Sequence, residues 1–489
     1  MKKLLFIIVA VTLIAGLLLV GCAKEEAKPA PTPAAPAAPA PAAPAPKPAP
    51  TPAPAPAPSP APAKPLEISK PPAGTPVYGG TLRMISGMGP KILGYFPEMW
   101  VFDEIAMMPV IERLMDYNDK QDIIPWLAES WEVAKDGKSI TFKIRKGIKF
   151  TDGSDLNAEV VRWNLQQGVD TKRMQYANKV TSVEKLDDYT VRLNITQYTN
   201  QIIHGTGWYP MLSKEAFEKN GKDWCVTNCV ATGPFMVADY KRDNYIKFVK
   251  NPNYWQKGQP YLDAIMVKII PDPVIASAAM QAGEADWWGA SPQFQKVLEE
   301  KGFVRVANPK YGGPSGILPN NKPDSRFADK RLREAVEYAI DKAAMAKALG
   351  FGYSIPLNSN YPPGTWGYIE TETRPYNPEK ARQLIKDAGY PNGLKVKLLA
   401  SIGAEDAVTA VKSFLDAVGM TVEPDIADMG RYFGMVFGMG WPDLTLYGWG
   451  VDPNVLISVH RHWGPEPMSN PTSFSRPDAF VTLCQESLT

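Results

Sequence analysis

Histidine is scarce in this chain: His204, His460 and His462 are the only three in 489 residues. That leaves little imidazole for acid–base or metal chemistry. His460 and His462 read as alternate positions on one strand face. There they could reach a shared ion, although surface imidazoles are the plainer reading. Motifs that build reactive sites are missing as well. There is no G-x-S-x-G elbow, no H-E-x-x-H helix and no G-x-x-x-x-G-K phosphate loop. Carboxylates are plentiful, so an Asp/Glu pair acting as acid and base stays open, yet no spacing singles one out. No catalytic residue, metal or cofactor is expected. A dominant charge is absent too, with 53 Lys and Arg against 51 Asp and Glu. Such balance gives no electrostatic case for nucleic acid or an anionic surface as partner.

What is present begins at the N-terminus. Lys2 and Lys3 precede an apolar run from Leu4 to Val20, which ends at Gly21-Cys22. A positive start, an apolar stretch and small residues before a cysteine make a secretory signal peptide, 1–21. The run is also just long enough to span a bilayer, but no basic stop-transfer cluster follows it. The segment Leu19-Val20-Gly21-Cys22 resembles the bacterial lipobox. That resemblance implies a lipidated Cys22 and an extracytoplasmic, membrane-tethered protein. From Ala27 to Pro65 the chain is almost wholly Ala and Pro, which cannot build a core. Residues 22–65 therefore read as a semi-rigid linker, extended at about 3.1 Å per residue.

Of the other cysteines, Cys225 and Cys229 lie close together in D-W-C-V-T-N-C-V. An oxidising compartment favours a disulfide between them. The alternative, half of a metal site, lacks a nearby second pair. Cys484 has no evident partner.

From Leu66 onward the chain is too long for one core, and its pattern is mixed α and β. Ser139–Ile144 and Tyr189–Leu193 alternate polar and apolar residues, as half-buried strands do. Asn377-Pro378-Glu379 supplies an N-cap, a first-turn proline and an acid, so a helix is predicted from there to Gly389. Leu332, Val336, Ala339 and Ile340 mark another. Strand-rich sequence gives way to alternating α/β near Pro319-Asn320-Asn321, which places a domain boundary there.

Several phrases occur in an order that carries a resemblance. They are Pro125–Trp131, the stretch S-I-T-F-K-I-R-K-G-I-K-F-T-D-G, Asn157–Val161, Thr232–Phe235, Asn251–Trp255, Ala282–Asp286 and Leu332–Asp341. Together they resemble the ABC-importer solute-binding proteins of the dipeptide-, oligopeptide- and nickel-binding family (family 5), from about Gly79 to Asn454. The resemblance implies an α/β, two-lobed fold of the periplasmic-binding-protein type II kind. It divides the chain into a large lobe, 66–317, with an inserted subdomain at about 105–225, and a second lobe, 318–489. Two crossing strands would join the lobes. Solute would bind between them, and the partners would be a permease and its ATPase subunits, with the binding protein itself a monomer. The solute is expected to be a di- or oligopeptide, with a glycoside, an opine or a metal chelate as the nearest alternative; a secreted hydrolase, whose motifs are absent, and a surface scaffold, which the long stalk would suit, are the rival classes.

The resemblance also nominates a site. Gly448-Trp449-Gly450-Val451-Asp452 is similar to the family's G-W-x-x-D segment, whose aspartate pairs with the α-ammonium of a bound peptide. A carboxylate in a low-dielectric cleft makes a charge-assisted hydrogen bond there without reading side chains. Trp449 would wall the pocket, and Ser86 and Met88, after the first strand, would add contacts from the large lobe. A turn-capping role before Pro453 is the alternative for Asp452. Relatives run several dozen residues past Thr489, so a C-terminally incomplete copy is expected, one lacking the return to the large lobe. A version extended to family length is accordingly predicted to melt well above the 489-residue chain; equal melting temperatures would sink the idea.

Overall fold

The computed structural model describes residues 75–487, apart from 119–121, 307–312, 366, 371–373, 453–454, 466 and 468–472. The expected signal peptide, Cys22 and the Pro/Ala linker lie outside the described residues, as do Gly312, Trp366 and Pro453. Among the described residues no helix is long and apolar enough to cross a membrane.

Three larger sheets organise the chain. The first orders its strands Phe235–Lys241, Tyr245–Lys250, Ala264–Ile269, Thr81–Ser86 and Trp287–Trp288. Thr81–Ser86 runs parallel to both of its neighbours, so chain segments nearly two hundred residues apart meet in its centre. The second is antiparallel, in the order Ala128–Val133, Ser139–Ile144, Thr190–Ile195, Val180–Asp187. The alternation read in Ser139–Ile144 holds, with Ile140, Phe142 and Ile144 all buried. Asp152-Gly153 forms the turn read from sequence, closed by the Lys149–Asp155 bridge, with Gly153 at φ +89° where a side chain would strain the backbone.

Two of the sequence phrases meet on a single carboxylate. Glu112, buried, accepts from Trp126 Nε1 at 2.8 Å, Tyr254 Oη at 2.8 Å and Trp255 Nε1 at 3.0 Å. Burial pushes its carboxyl above the usual range, and these donors hold it partly back. The first two sheets share one apolar core, which includes Phe142, Phe150 and Phe248.

The third sheet orders Ser315–Pro319, Leu444–Gly448, Leu394–Ser401 and Met420–Ala427. Its centre is parallel, and Ser315–Pro319 pairs antiparallel at one edge. Both faces are covered, as a parallel centre requires. Val396, Leu398 and Leu444 enter one core with the helices Lys330–Ala339, Pro378–Asp387 and Glu405–Asp416. Leu399, Tyr447 and Trp449 enter another on the opposite face. The division expected at 317/318 falls inside Ser315–Pro319, all of whose residues pair with Leu444–Gly448. Strand pairing therefore moves the start of this unit back to Ser315 at the latest.

Several contacts among the described residues join this unit to the rest. The Trp100 and Phe433 rings meet edge to face at 5.5 Å. Tyr353 Oη donates to Glu299, and the Arg305 guanidinium lies 4.6 Å over the Tyr353 ring.

Cys225 and Cys229 are both buried free thiols, so the disulfide expected between them is not formed. The reason is helical. The helix Lys222–Cys225 carries its turn on through Thr227, whose N–H bonds Trp224 O. Cys225 is the last helical residue and Cys229 lies past the turn at Val226-Thr227, in chain that is no longer helical, so the two thiols sit on different local structure.

The helix Ala158–Asp170 gives a direct check on local stability. Asn157 Oδ1 accepts from Glu159 N at 3.0 Å and Val160 N at 3.1 Å, which makes it a full N-cap. Asn157→Ala is expected to lower unfolding free energy by about 1 kcal/mol, and Asn157→Asp to leave it nearly unchanged. Urea titrations of both variants measure it.

Candidate functional site

The residues after strand Leu444–Gly448 carry the candidate site. Trp449 N bonds Pro314 O at 3.0 Å, which keeps the two strands paired past their last ladder rung. The Trp449 ring is buried, stacked on Tyr447 at 6.1 Å and edge-on to Trp463 at 5.5 Å. Its indole N–H donates to Asn360 O at 3.2 Å. Trp449 thus belongs to the aromatic core on one face of the third sheet.

Asp452 is held by the following helix, Val455–His462. Its backbone N–H donates to Ser458 Oγ at 2.7 Å, and that hydroxyl donates back to Asp452 Oδ2 at 2.6 Å. Arg461 closes a fork on the same carboxylate, Nη2 to Oδ2 at 2.8 Å and Nη1 to Oδ1 at 3.2 Å. Ser458 and Arg461 stand three apart on the helix, so one face presents both. The pair is not sealed: the side chains keep 14% and 28% of their surface, Asp452 and Arg461 respectively.

Arg461 is itself positioned. Its Nε donates to His462 Nε2 at 3.3 Å, and His462 Nδ1 meets Tyr447 Oη at 3.2 Å. An Nε2 that accepts puts the ring proton on Nδ1. Burial, reinforced by the Arg461 charge, lowers the His462 pKa to about 4. His460 faces elsewhere, bonding Ser487 Oγ at 3.0 Å. The shared strand face read for the two histidines does not exist, because they lie two apart on a helix and point apart. Among the described residues no group of His, Cys, Asp and Glu could hold a metal ion.

The opposing surface comes from the helix Asn200–Gly207 and its neighbours. His204, buried, feels the charges of Asp452, Arg461 and Arg113, and desolvation is the largest cause lowering its pKa to about 4. Its Nδ1 bonds Tyr117 Oη at 2.7 Å, and its ring stacks on Trp208 at 5.4 Å. The Arg113 guanidinium lies 4.4 Å over the other ring partner, Trp208, and pairs with Glu104 at 2.5 Å. One turn before His204, the Gln201 side-chain amide is buried with neither its N–H nor its oxygen hydrogen-bonded. Tyr361, which feels both Asp452 and Arg461, donates to Val455 O at 3.2 Å and closes the second-lobe side.

Trp449 belongs to the aromatic layer with Tyr447 and Trp463, whereas Asp452 is held by Ser458 and Arg461. Ser86 and Met88 bond each other instead: Ser86 Oγ donates to Met88 O at 2.6 Å and accepts from Met88 N at 3.3 Å. The Met88 side chain is 43% exposed beyond the end of Thr81–Ser86. Sequence reasoning missed Arg461, Ser458, Gln201, Tyr117 and Arg113. Only the Ser458/Arg461 spacing carried a signal, and it needed the helix to be recognised first.

Burial lowers all three histidines, His204 and His462 furthest, and these two set a pH dependence. Folded, each ring takes its proton only near pH 4, whereas an unfolded chain takes it near 6.5. The unfolded state binds more protons between those values, so stability drops as pH falls through that window. The melting temperature is expected to be lower at pH 5 than at pH 7.5, and His204→Gln to shrink the difference. An undiminished difference in that variant would remove His204 from the account.

The family of bacterial extracellular solute-binding proteins, family 5 (middle), matches residues 122–463. Heme-binding protein A of Haemophilus influenzae is 35% identical over 326 residues, 58% of this chain and 57% of that protein. The glutathione-binding protein GsiB of Escherichia coli K12 is 32% identical over 327 residues, 64% of this chain and 63% of that protein. The chain thus spans about three-fifths of the length of these relatives. Among solved structures, the periplasmic binding protein DppA from Helicobacter pylori, in complex with peptide STSA, superposes with a TM-score of 0.71. It is 23% identical, and the match covers 84% of this chain and 87% of that one. Fold and sequence agree: the chain belongs to the bacterial extracellular solute-binding proteins, family 5.

Proposed function

We propose that this chain is the solute-binding subunit of an ABC importer, tethered through a lipid on Cys22, and that it captures short peptides between its lobes. The observation that carries the reading is the Asp452 carboxylate, partly open and set against the polar and aromatic groups of the opposite lobe. Asp452 receives the α-ammonium, and Ser458 keeps the carboxylate oriented. Tyr117, Trp208 and Tyr361 provide apolar walls with polar tips, tolerant of different side chains. Trp449 supports the floor, and Met88, beyond its Ser86 turn, adds an adaptable contact.

The relatives are consistent with this breadth. One is named for heme, another for glutathione, and the Helicobacter pylori neighbour holds a tetrapeptide. The work of the site is binding, with ATP hydrolysed by a separate subunit and closure presenting the loaded form to the permease.

Native mass spectrometry of the unlipidated protein tests the substrate. A population of short peptides in the cleft is expected, and one non-peptide mass would overturn the reading. For the anchor, Asp452→Ala is expected to weaken peptide binding by about tenfold to a hundredfold, the range of one charge-assisted hydrogen bond. Isothermal titration measures it.

A further inference from the structure

Asp452 already has a cation. Arg461 forks onto both of its carboxylate oxygens, at 2.8 Å and 3.2 Å, and the pair keeps only a small share of its surface open. Any solute that brings an ammonium to Asp452 meets that guanidinium at the same oxygens. The guanidinium is confined: it shares a helix with Ser458, and its Nε is tied to His462, which Tyr447 holds in turn.

Charge conservation then decides what the site accepts. The Asp452–Arg461 pair is neutral, and a charge left unpaired in a closing cleft is strongly unfavourable. An ammonium alone on Asp452 frees Arg461 and leaves one positive charge uncompensated. A carboxylate alone on Arg461 leaves Asp452 bare. A group that carries ammonium and carboxylate on one carbon satisfies both and keeps the cluster neutral. Glu104 offers Arg461 no relief, since it is paired with Arg113.

We infer that Arg461 is a specificity-determining residue, and that with Asp452 it selects solutes bearing an intact α-amino-acid head group, such as peptides joined through a side-chain carboxyl. An ordinary α-linked peptide spends its first α-carboxyl in the amide bond and presents only the ammonium there. A γ-glutamyl peptide keeps both charges on the same carbon. The inference rests on the peptide reading of the cleft and narrows it.

The test compares two isomers of identical composition and net charge, γ-Glu-Ala-Gly and α-Glu-Ala-Gly, by titration calorimetry on the full chain stripped of bound solute. The γ-linked isomer is expected to bind at least about tenfold tighter, a difference of about 1.4 kcal/mol. In Arg461→Gln the preference is expected to collapse toward parity, chiefly through loss of affinity for the γ-linked isomer. Arg461→Lys, which keeps the charge without the fork, is expected to retain part of it. Equal or tighter binding of the α-linked isomer by the unmutated chain overturns the inference and leaves the peptide reading standing. A preference that survives Arg461→Gln overturns the role of Arg461. Failure of both isomers to bind overturns the inference and the peptide reading together.

Discussion

A carboxylate lying between two protein surfaces has to be neutralised, and much of the local structure follows from how this chain neutralises Asp452. Desolvating a lone charge is far more unfavourable than any single contact is favourable. The chain meets the constraint within ten residues. It turns after Asp452 into the helix Val455–His462 and returns a hydroxyl and a guanidinium to the same group. Those partners are held in turn, Arg461 by His462 and His462 by Tyr447 on the strand that leads into the site. The polar chain closes on the element that started it.

That arrangement needs a rigid platform, and the third sheet supplies one. Past the exposed Lys395 and Lys397, the central strand Leu394–Ser401 is buried on both faces, so Leu398 and Leu399 serve different cores. A register slip would exchange the two faces, and the aromatic layer of Tyr447, Trp449 and Trp463 would have no complementary surface. The orientation of Asp452 is thereby tied to the packing of the whole unit. On the other lobe, Arg113 plays a comparable part with different chemistry. Its charge is matched by Glu104 and its plane covers Trp208, which stacks on His204.

The regular elements were legible because local chemistry and tertiary packing agree in them. Asn377 caps the helix that begins at Pro378, as its side chain and the proline dictate. Ser139–Ile144 buries alternate residues because one face meets the core. Val455–His462 was not legible. Its Val, Ile and Val favour a strand, and burial of Val455, Ser458 and His462 along a helical face overrides that preference. The same misreading hid the Ser458–Arg461 face and put the two histidines on a common side. Cys225 and Cys229 failed for a related reason: a spacing says which residues are near in sequence, whereas the helical turn between them sets the direction of each thiol. Asp452 could be named from its pattern, but its partner could not, because nothing in the pattern says which cation nine residues away folds back.

The contacts that join the lobes outside the site are modest. The Trp100–Phe433 pair is worth about 0.5–1.5 kcal/mol beyond its buried area, and the Tyr353–Glu299–Arg305 group sits at a partly solvated rim. Moving a two-state equilibrium from mostly open to mostly closed takes about 5.5 kcal/mol of differential binding. Rim contacts of this size bias closure without enforcing it. The remainder has to come from groups that are satisfied only when both lobes share an occupant. The neutral but still accessible Asp452–Arg461 pair is a group of that kind. In the proposed reading, a solute that engages this pair together with the opposite lobe makes the closed form the stable one, so the features that choose the solute would also drive closure.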